Sequence, residues 1–241
     1  MVIDKQKPLV LSNLTKSYGS DRGVKDVSLQ VEQGEVFGFL GPNGAGKTTT
    51  IRCILDFIRP TSGSAEVFGL DSRQDSIEIK KQIGYLSGDS AFYEKITGRQ
   101  LLNLLDSLSE TTQWEYVNQL RNMLEAELDR PLKKLSRGNK QKIGLIQAFM
   151  HKPELLILDE PTSGLDPLMQ ETFYRLVNEA KEQGRTVFIS SHNLAEVQKI
   201  CNRAAFIRNG ELIGIEEVDK VHKMNVHKFT VWFGEKVDED A

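Results

Sequence analysis

The run Gly-Pro-Asn-Gly-Ala-Gly-Lys-Thr at positions 41–48 constrains this chain more than any other stretch. It fits G-x-x-x-x-G-K-[ST], the P-loop pattern. Gly41, Gly44 and Gly46 let the backbone curl until successive N–H groups point at phosphate oxygens. Lys47 is then placed for the β- and γ-phosphates of a nucleotide, and the Thr48 hydroxyl for Mg²⁺. The pattern has this meaning only between a strand and a helix, and the flanks supply both. "EVFGFL" (35–40) is a short apolar run of the kind buried in an α/β sheet. Ile51, Ile54, Leu55 and Ile58 lie at i, i+3, i+4 and i+7, one face of a helix, with Pro60 just beyond its end.

The same reading extends along the chain. "DVSLQV" (26–31) alternates apolar and polar residues as a half-buried strand does, and "LVL" (9–11) is its partner. "QIGYLS" (82–87), "LLIL" (155–158) and "TVFIS" (186–190) read as further strands. Asp166 and Pro167 fit the N-cap and first position of a helix whose buried face is Phe173, Leu176, Val177 and Ala180. "AAFIRNGELIG" (204–214) reads as a hairpin turning at Asn209-Gly210. Between about 90 and 150 the character changes. Leu101, Leu104, Leu105 and Leu108 make one helical stripe, Val117, Leu120 and Leu124 another, and no strand is legible.

Strands alternating with helices imply an α/β fold with a three-layer core and a mainly parallel sheet. An antiparallel β subdomain precedes it and an α-helical subdomain is inserted. The expected division is residues 1–88 and 152–218 for the β subdomain and P-loop core, 89–151 for the helical subdomain, and 219–241 for a short C-terminal extension.

Composition narrows the partners. With 31 basic and 34 acidic residues the net charge is −3, so there is no general basic field and no nucleic-acid partner is expected. No stretch reaches the roughly 18 apolar residues of a membrane span, and the N-terminus lacks a signal-peptide run. Cys53 and Cys201 have apolar neighbours and no metal-ligand spacing, which fits buried thiols. The expected compartment is the cytoplasm.

Four further groups carry chemistry. The apolar strand 155–158 ends in Asp159 and Glu160, at the sheet edge where ligands bind in such folds. Asp159 suits the Mg²⁺ position, and Glu160 can take a proton from an attacking water. His192 follows "TVFISS" at the same edge, placed to sense a γ-phosphate. Tyr18 in "KSYGS" is either a plain surface aromatic or a platform for a base. "LSRGNKQK" (135–142) starts a helix with Ser136 as N-cap, and its N–H groups, Gly138 and lysines could hold a phosphate. Alone, it reads equally as a capped surface helix with solvated lysines.

Taken in order, these parts resemble the nucleotide-binding subunit of ABC (ATP-binding cassette) transporters. The resemblance covers residues 8 to 218. Tyr18 stands as the A-loop, 41–49 as Walker A, "LSRGNKQ" as the signature, "LLILDE" as Walker B, "SGLD" as the D-loop and His192 as the switch histidine. It implies that ATP is contacted by Tyr18 and by the loop residues Gly41, Pro42, Asn43, Gly44, Ala45, Gly46, Lys47, Thr48 and Thr49. It implies further contacts from Ser136, Gly138 and Asn139 of the signature and from Asp166 of the D-loop. Mg²⁺ falls to Thr48 and Asp159, and catalysis to Glu160 and His192. Two subunits, identical or different, would stack head-to-tail around two ATP molecules and drive separate transmembrane permease subunits. The chain would then sit on the inner face of the cell membrane. Residues 88–104, with Phe92 and Tyr93, are the expected docking surface for the permease.

Two departures matter. The family signature is usually LSGGQ, whereas this chain has Arg137 and Asn139 at its third and fifth places. Where the family usually has a glutamine shortly after "IGYL", this chain has Gly88, with Asp89 beside it. A glycine cannot ligate Mg²⁺ or water, so either Asp89 substitutes or the link to the membrane partner is built differently. Such a Gly-plus-acid replacement resembles the export-type branch with separately encoded permeases. Two other readings stand beside the transporter: a soluble ABC ATPase acting on ribosomes or nucleic acid, and a regulatory nucleotide-binding module without turnover.

Overall fold

The computed structural model describes residues 6–19, 23–88, 95–107 and 113–218. The chain begins with three strands, β1 (Leu9–Ser17), β2 (Gly23–Val31) and β3 (Val36–Leu40), followed by helix α1 (Lys47–Ile54). Next come β4 (Ser62–Val67), β5 (Leu70–Asp71), α2 (Ser76–Gln82) and β6 (Ile83–Leu86). Three helices follow, α3 (Gly98–Asp106), α4 (Trp114–Met123) and α5 (Arg137–Phe149). The chain then alternates through β7 (Leu155–Asp159), α6 (Pro167–Glu182), β8 (Thr186–Ser191) and α7 (Leu194–Ile200) to the hairpin β9 (Arg203–Arg208) and β10 (Glu211–Glu217).

Two sheets result. An antiparallel sheet has the order β2-β1-β4-β5, and a six-stranded sheet the order β10-β9-β3-β8-β7-β6. In the larger sheet β9, β3, β8, β7 and β6 run parallel, and β10 is antiparallel at one edge. Because side chains alternate across a strand, each central strand feeds two cores. Phe37 and Phe39 of β3 and Leu155 and Ile157 of β7 face one cluster, with β1, β2 and α1. Val36 and Leu40, Leu156 and Leu158 face the other, with α5, α6 and α7. Phe188 of β8 binds the first cluster together, stacking on Phe37 at 6.0 Å and lying 5.6 Å from Phe39. The expected core, mainly parallel with an antiparallel N-terminal sheet, is the one observed.

The helical segment packs through a continuous apolar interior. Val117, Leu120 and Leu124 are each 0 % exposed, contributing about 1.5–3 kcal/mol apiece by leaving water. The α3 stripe differs from expectation. Leu101 and Leu102 are buried while Leu104 is 48 % exposed, and Leu108 lies outside the described residues. α3 starts with a full capping box, the Thr97 hydroxyl taking the Gln100 N–H and the Gln100 side chain taking the Thr97 N–H. Leu105 packs partly buried against the same interior, so the inward face of α3 is Leu101, Leu102 and Leu105.

α1 also stops earlier than its stripe suggests. Asp56 adopts φ 53°, and the Phe57 N–H returns to the Arg52 carbonyl at 2.8 Å. This left-handed ending closes the helix and leaves Ile58 beyond it, half-packed on the core. Cys53 in α1 and Cys201 just past α7 are both buried free thiols, as expected.

Candidate functional site

β3, β8 and β7 are neighbours in one parallel sheet, so their C-terminal ends lie side by side. Ligands bind in the crevice outside such ends. After β3, the chain turns through Gly41–Gly46 into α1. Gly46 is the N-cap, with φ 110° and no side-chain cap, so the first N–H groups of α1 have no partner within the helix and face outward as an anion site. A side chain at Gly46 would stand 2.5 Å from the Val24 Cγ1, so both conformation and space require glycine.

Lys47 is 6 % exposed, and a buried ammonium needs partners. Its Nζ donates to the Gly41 carbonyl at 2.6 Å and the Pro42 carbonyl at 3.2 Å, and pairs with Glu160 Oε1 at 3.1 Å. Thr48 Oγ1 donates to Asp159 Oδ2 at 2.7 Å. Asp159, fully buried, also accepts from Ser190 Oγ. A hydroxyl and a carboxylate that meet in this way are hard oxygen donors of the kind Mg²⁺ takes, so the residues fit that ion. Glu160 Oε2 lies 2.7 Å from His192 Nδ1. The Glu160 N–H is held by the Ser190 carbonyl at 3.2 Å and by Ser190 Oγ at 3.1 Å.

An open cleft of about 1160 Å³ runs along this edge, with Tyr18, Asn43, Gly44, Lys47, Thr48, Thr49 and Glu160 among its walls. Tyr18 is 54 % exposed, with the Lys16 ammonium 5.2 Å from its ring centroid. A smaller adjoining cavity of about 220 Å³ is lined by Gly88, Arg137, Ser163 and His192, with Asn43, Thr48 and Glu160 shared between the two. A side chain at Gly88 would begin 3.1 Å from Asp159 Oδ2. Position 88 therefore abuts the Asp159 carboxylate, whereas Asp89, Phe92 and Tyr93 lie outside the described residues.

Other expected site residues stand elsewhere. Pro42 and Ala45 shape the loop: the Ala45 N–H donates to the Pro42 carbonyl at 3.1 Å, and the Ala45 methyl packs in the core. Ser136, Gly138, Asn139 and Asp166 line neither cavity. Ser136 is the N-cap of α5, its Oγ taking the Asn139 N–H at 3.2 Å. Both ends of the Asn139 amide are bonded to the Glu127 backbone at 2.8 Å. Asp166 caps α6 through Met169 at 3.0 Å.

Three contributors are not apparent in the sequence. Ser190 braces Asp159 and Glu160. Glu196, 2 % exposed, accepts from Ser191 Oγ beside His192. Burial pushes its carboxyl above the usual range, against the hydroxyls of Ser191 and Thr162. Gln141 reaches the carbonyls after β7. A polar pair closing an otherwise apolar strand, as in "TVFISS", is the one signal that points to the first of these.

Comparison with known proteins agrees with this geometry. The ABC transporter family model matches residues 24–163. The bacitracin transport ATP-binding protein BcrA of Bacillus licheniformis is 39 % identical over 217 residues, covering 89 % of this chain and 71 % of that protein. A solved ATP-binding subunit of an ABC transporter superposes with a TM-score of 0.80 at 28 % identity, over 90 % of this chain and 92 % of the other. The cbiO1 protein of Clostridium perfringens, described as part of the ABC transporter complex cbiONQ, gives 0.73 at 25 % identity, over 90 % and 91 %.

Proposed function

This chain belongs to the ABC transporter family as an ATP-binding, ATP-hydrolysing domain, and we propose that it powers a separately encoded permease, with Glu160 as the base that activates water. The observation that carries the reading is the chain of contacts Lys47–Glu160–His192 beside the pair Thr48–Asp159, all at one sheet edge.

The roles follow from the groups. The N–H groups at the start of α1 and the Lys47 ammonium take the phosphates of ATP, and Tyr18 offers its ring to the base. Phosphates entering the loop compete with Glu160 for Lys47, which frees the carboxylate. Glu160 then accepts a proton from the water that attacks the γ-phosphorus, as the bond to the β,γ-bridging oxygen breaks and ADP leaves. His192, hydrogen-bonded to Glu160, holds that carboxylate in orientation. Mg²⁺ held by Thr48 and Asp159 would neutralise charge on the phosphate oxygens.

Ser136 and Gly138 lie outside the cleft of their own chain. In the proposed arrangement they close over the γ-phosphate held by a second, head-to-tail subunit. ADP lacks that phosphate, so hydrolysis loosens the pair, and this differential contact moves the permease between two states. Among the described residues no helix is long and apolar enough to cross a membrane. A peripheral place on the cytoplasmic face, through the permease, agrees with that. The proposed direction is export, supported by the Gly88 replacement after β6.

Glu160→Gln keeps the shape and removes the base. ATP binding should persist while turnover falls at least about 10²-fold. Near-normal hydrolysis by this variant would sink the assignment.

A further inference from the structure

The first two turns of α5 lie against the segment that follows Glu160. Arg137 Nη2 donates to Ser163 Oγ at 2.7 Å. A Cβ at Gly138 would stand 2.7 Å from the Gly164 carbonyl oxygen, so helix and loop meet backbone to backbone. One turn further on, Gln141 is 2 % exposed. Its Nε2 donates to the Pro161 carbonyl at 2.8 Å and to the Glu160 carbonyl at 3.2 Å. Both partners are carbonyl oxygens, which only accept, so the group facing them is the amide NH₂ with its two donors. No apolar side chain and no carboxylate of that size can replace it.

The residue so held is unusual. Glu160 has φ 49°, a left-handed conformation that side-chain-bearing residues rarely adopt and that persists only where surrounding contacts over-determine it. Those contacts come from three places. Ser190 of β8 takes the Glu160 N–H, the Ser163 N–H closes the turn onto the Glu160 carbonyl at 3.1 Å, and Gln141 of α5 holds that carbonyl and, beyond the turn's own bond, the Pro161 carbonyl. The carboxylate projects from this fixed turn to Lys47 and His192.

We propose that Gln141 is a positioning residue for Glu160: by holding two successive carbonyls it maintains the left-handed turn that aims the carboxylate, and it makes that aim depend on how the N-terminal turns of α5 are seated. The proposal rests on the reading of Glu160 as the base. A shift of α5 reaches the water-activating group through the backbone, without any contact between Gln141 and nucleotide.

Gln141→Met keeps the length of the side chain and removes both donors. In the full chain, kcat for ATP hydrolysis should fall roughly 10- to 100-fold, as for a misaimed catalytic group. ATP affinity, measured on the same preparation, should stay within about two-fold of wild type, the usual scatter between independent sites. Placed in the Glu160→Gln background, where no base remains to be aimed, the same substitution should change residual turnover by less than about two-fold. Gln141→Asn keeps a donor but withdraws it by one methylene. It should give an intermediate kcat at unchanged affinity, and it carries the test if the Met variant fails to fold. Wild-type kcat in the folded variants, affinity falling in step with kcat, or an undiminished loss in the Glu160→Gln background would each overturn the proposal. Normal turnover by Glu160→Gln alone strikes instead at the base reading, and at this proposal through it. An inactive Glu160→Gln beside an unaffected Gln141→Met overturns only the role of Gln141.

Discussion

Lys47 shows how one side chain is held by groups that, in the proposed reading, the phosphates of ATP displace. Its ammonium is almost fully buried, shared between two loop carbonyls and the Glu160 carboxylate. Phosphates offer that ammonium stronger, charge-assisted partners than carbonyls do. Lys47→Ala removes them, at about 1.5–3 kcal/mol for a hydrogen bond to a charged group, so ATP affinity should fall at least about 10-fold. A binding titration checks this, and unchanged affinity would mean the loop N–H groups alone carry the phosphates. Lys47, Asp159, Glu160 and His192 were legible because each stands beside its motif in the chain. Gln141 was not, because its partners lie 19 and 20 residues away and become neighbours only once α5 packs against β6, the strand next to β7. In the sequence it is one polar residue in a capped helix.

Elements were legible where burial imposes a regular pattern. β3, β7 and β8 are buried along their whole length and read as short apolar runs. β1 did not read in full, because its pairing with β2 shifts register between Leu11 and Leu14, where Asn13 takes φ 50°. A bulge of this kind breaks the alternation on which the reading depends. The β4–β5 hairpin went unread for a related reason: it turns at Phe68-Gly69, both with positive φ, and a phenylalanine is no turn signal. The β9–β10 hairpin, turning at Asn209-Gly210, was plain. α7 holds a further consequence. Glu196 on this helix is raised first by burial and then by Glu160, while Ser191, Thr162 and His192 pull the other way. A carboxyl raised in the folded state gives stability that is fully present below its unfolded value, near 4.5, and that is lost as pH rises through the folded value. Glu196→Gln removes the ionisation and keeps an acceptor for Ser191. Thermal melts should therefore show the variant gaining on wild type as pH rises from 4 to 8, and a pH-independent difference would contradict the assignment.

At the scale of the molecule, the cleft takes in Tyr18, Lys47, Thr48 and Glu160 but neither Ser136 nor Gly138 at the capped start of α5, so in the proposed arrangement it is one half of a nucleotide site. The proposed second half is the α5 start of another subunit. Mixing subunits tests this most directly. One carries Lys47→Ala and the other Ser136→Arg, each first shown to fold and to be inactive as a homodimer, since losing an N-cap alone costs about 1 kcal/mol. If Ser136 acts across the interface, both lesions fall on one site of the mixed dimer and the second site is wild type. Verified mixed dimers should then bind ATP at one intact site and recover hydrolysis there. If they contain no intact ATP site, Ser136 serves its own chain, and the head-to-tail arrangement is contradicted.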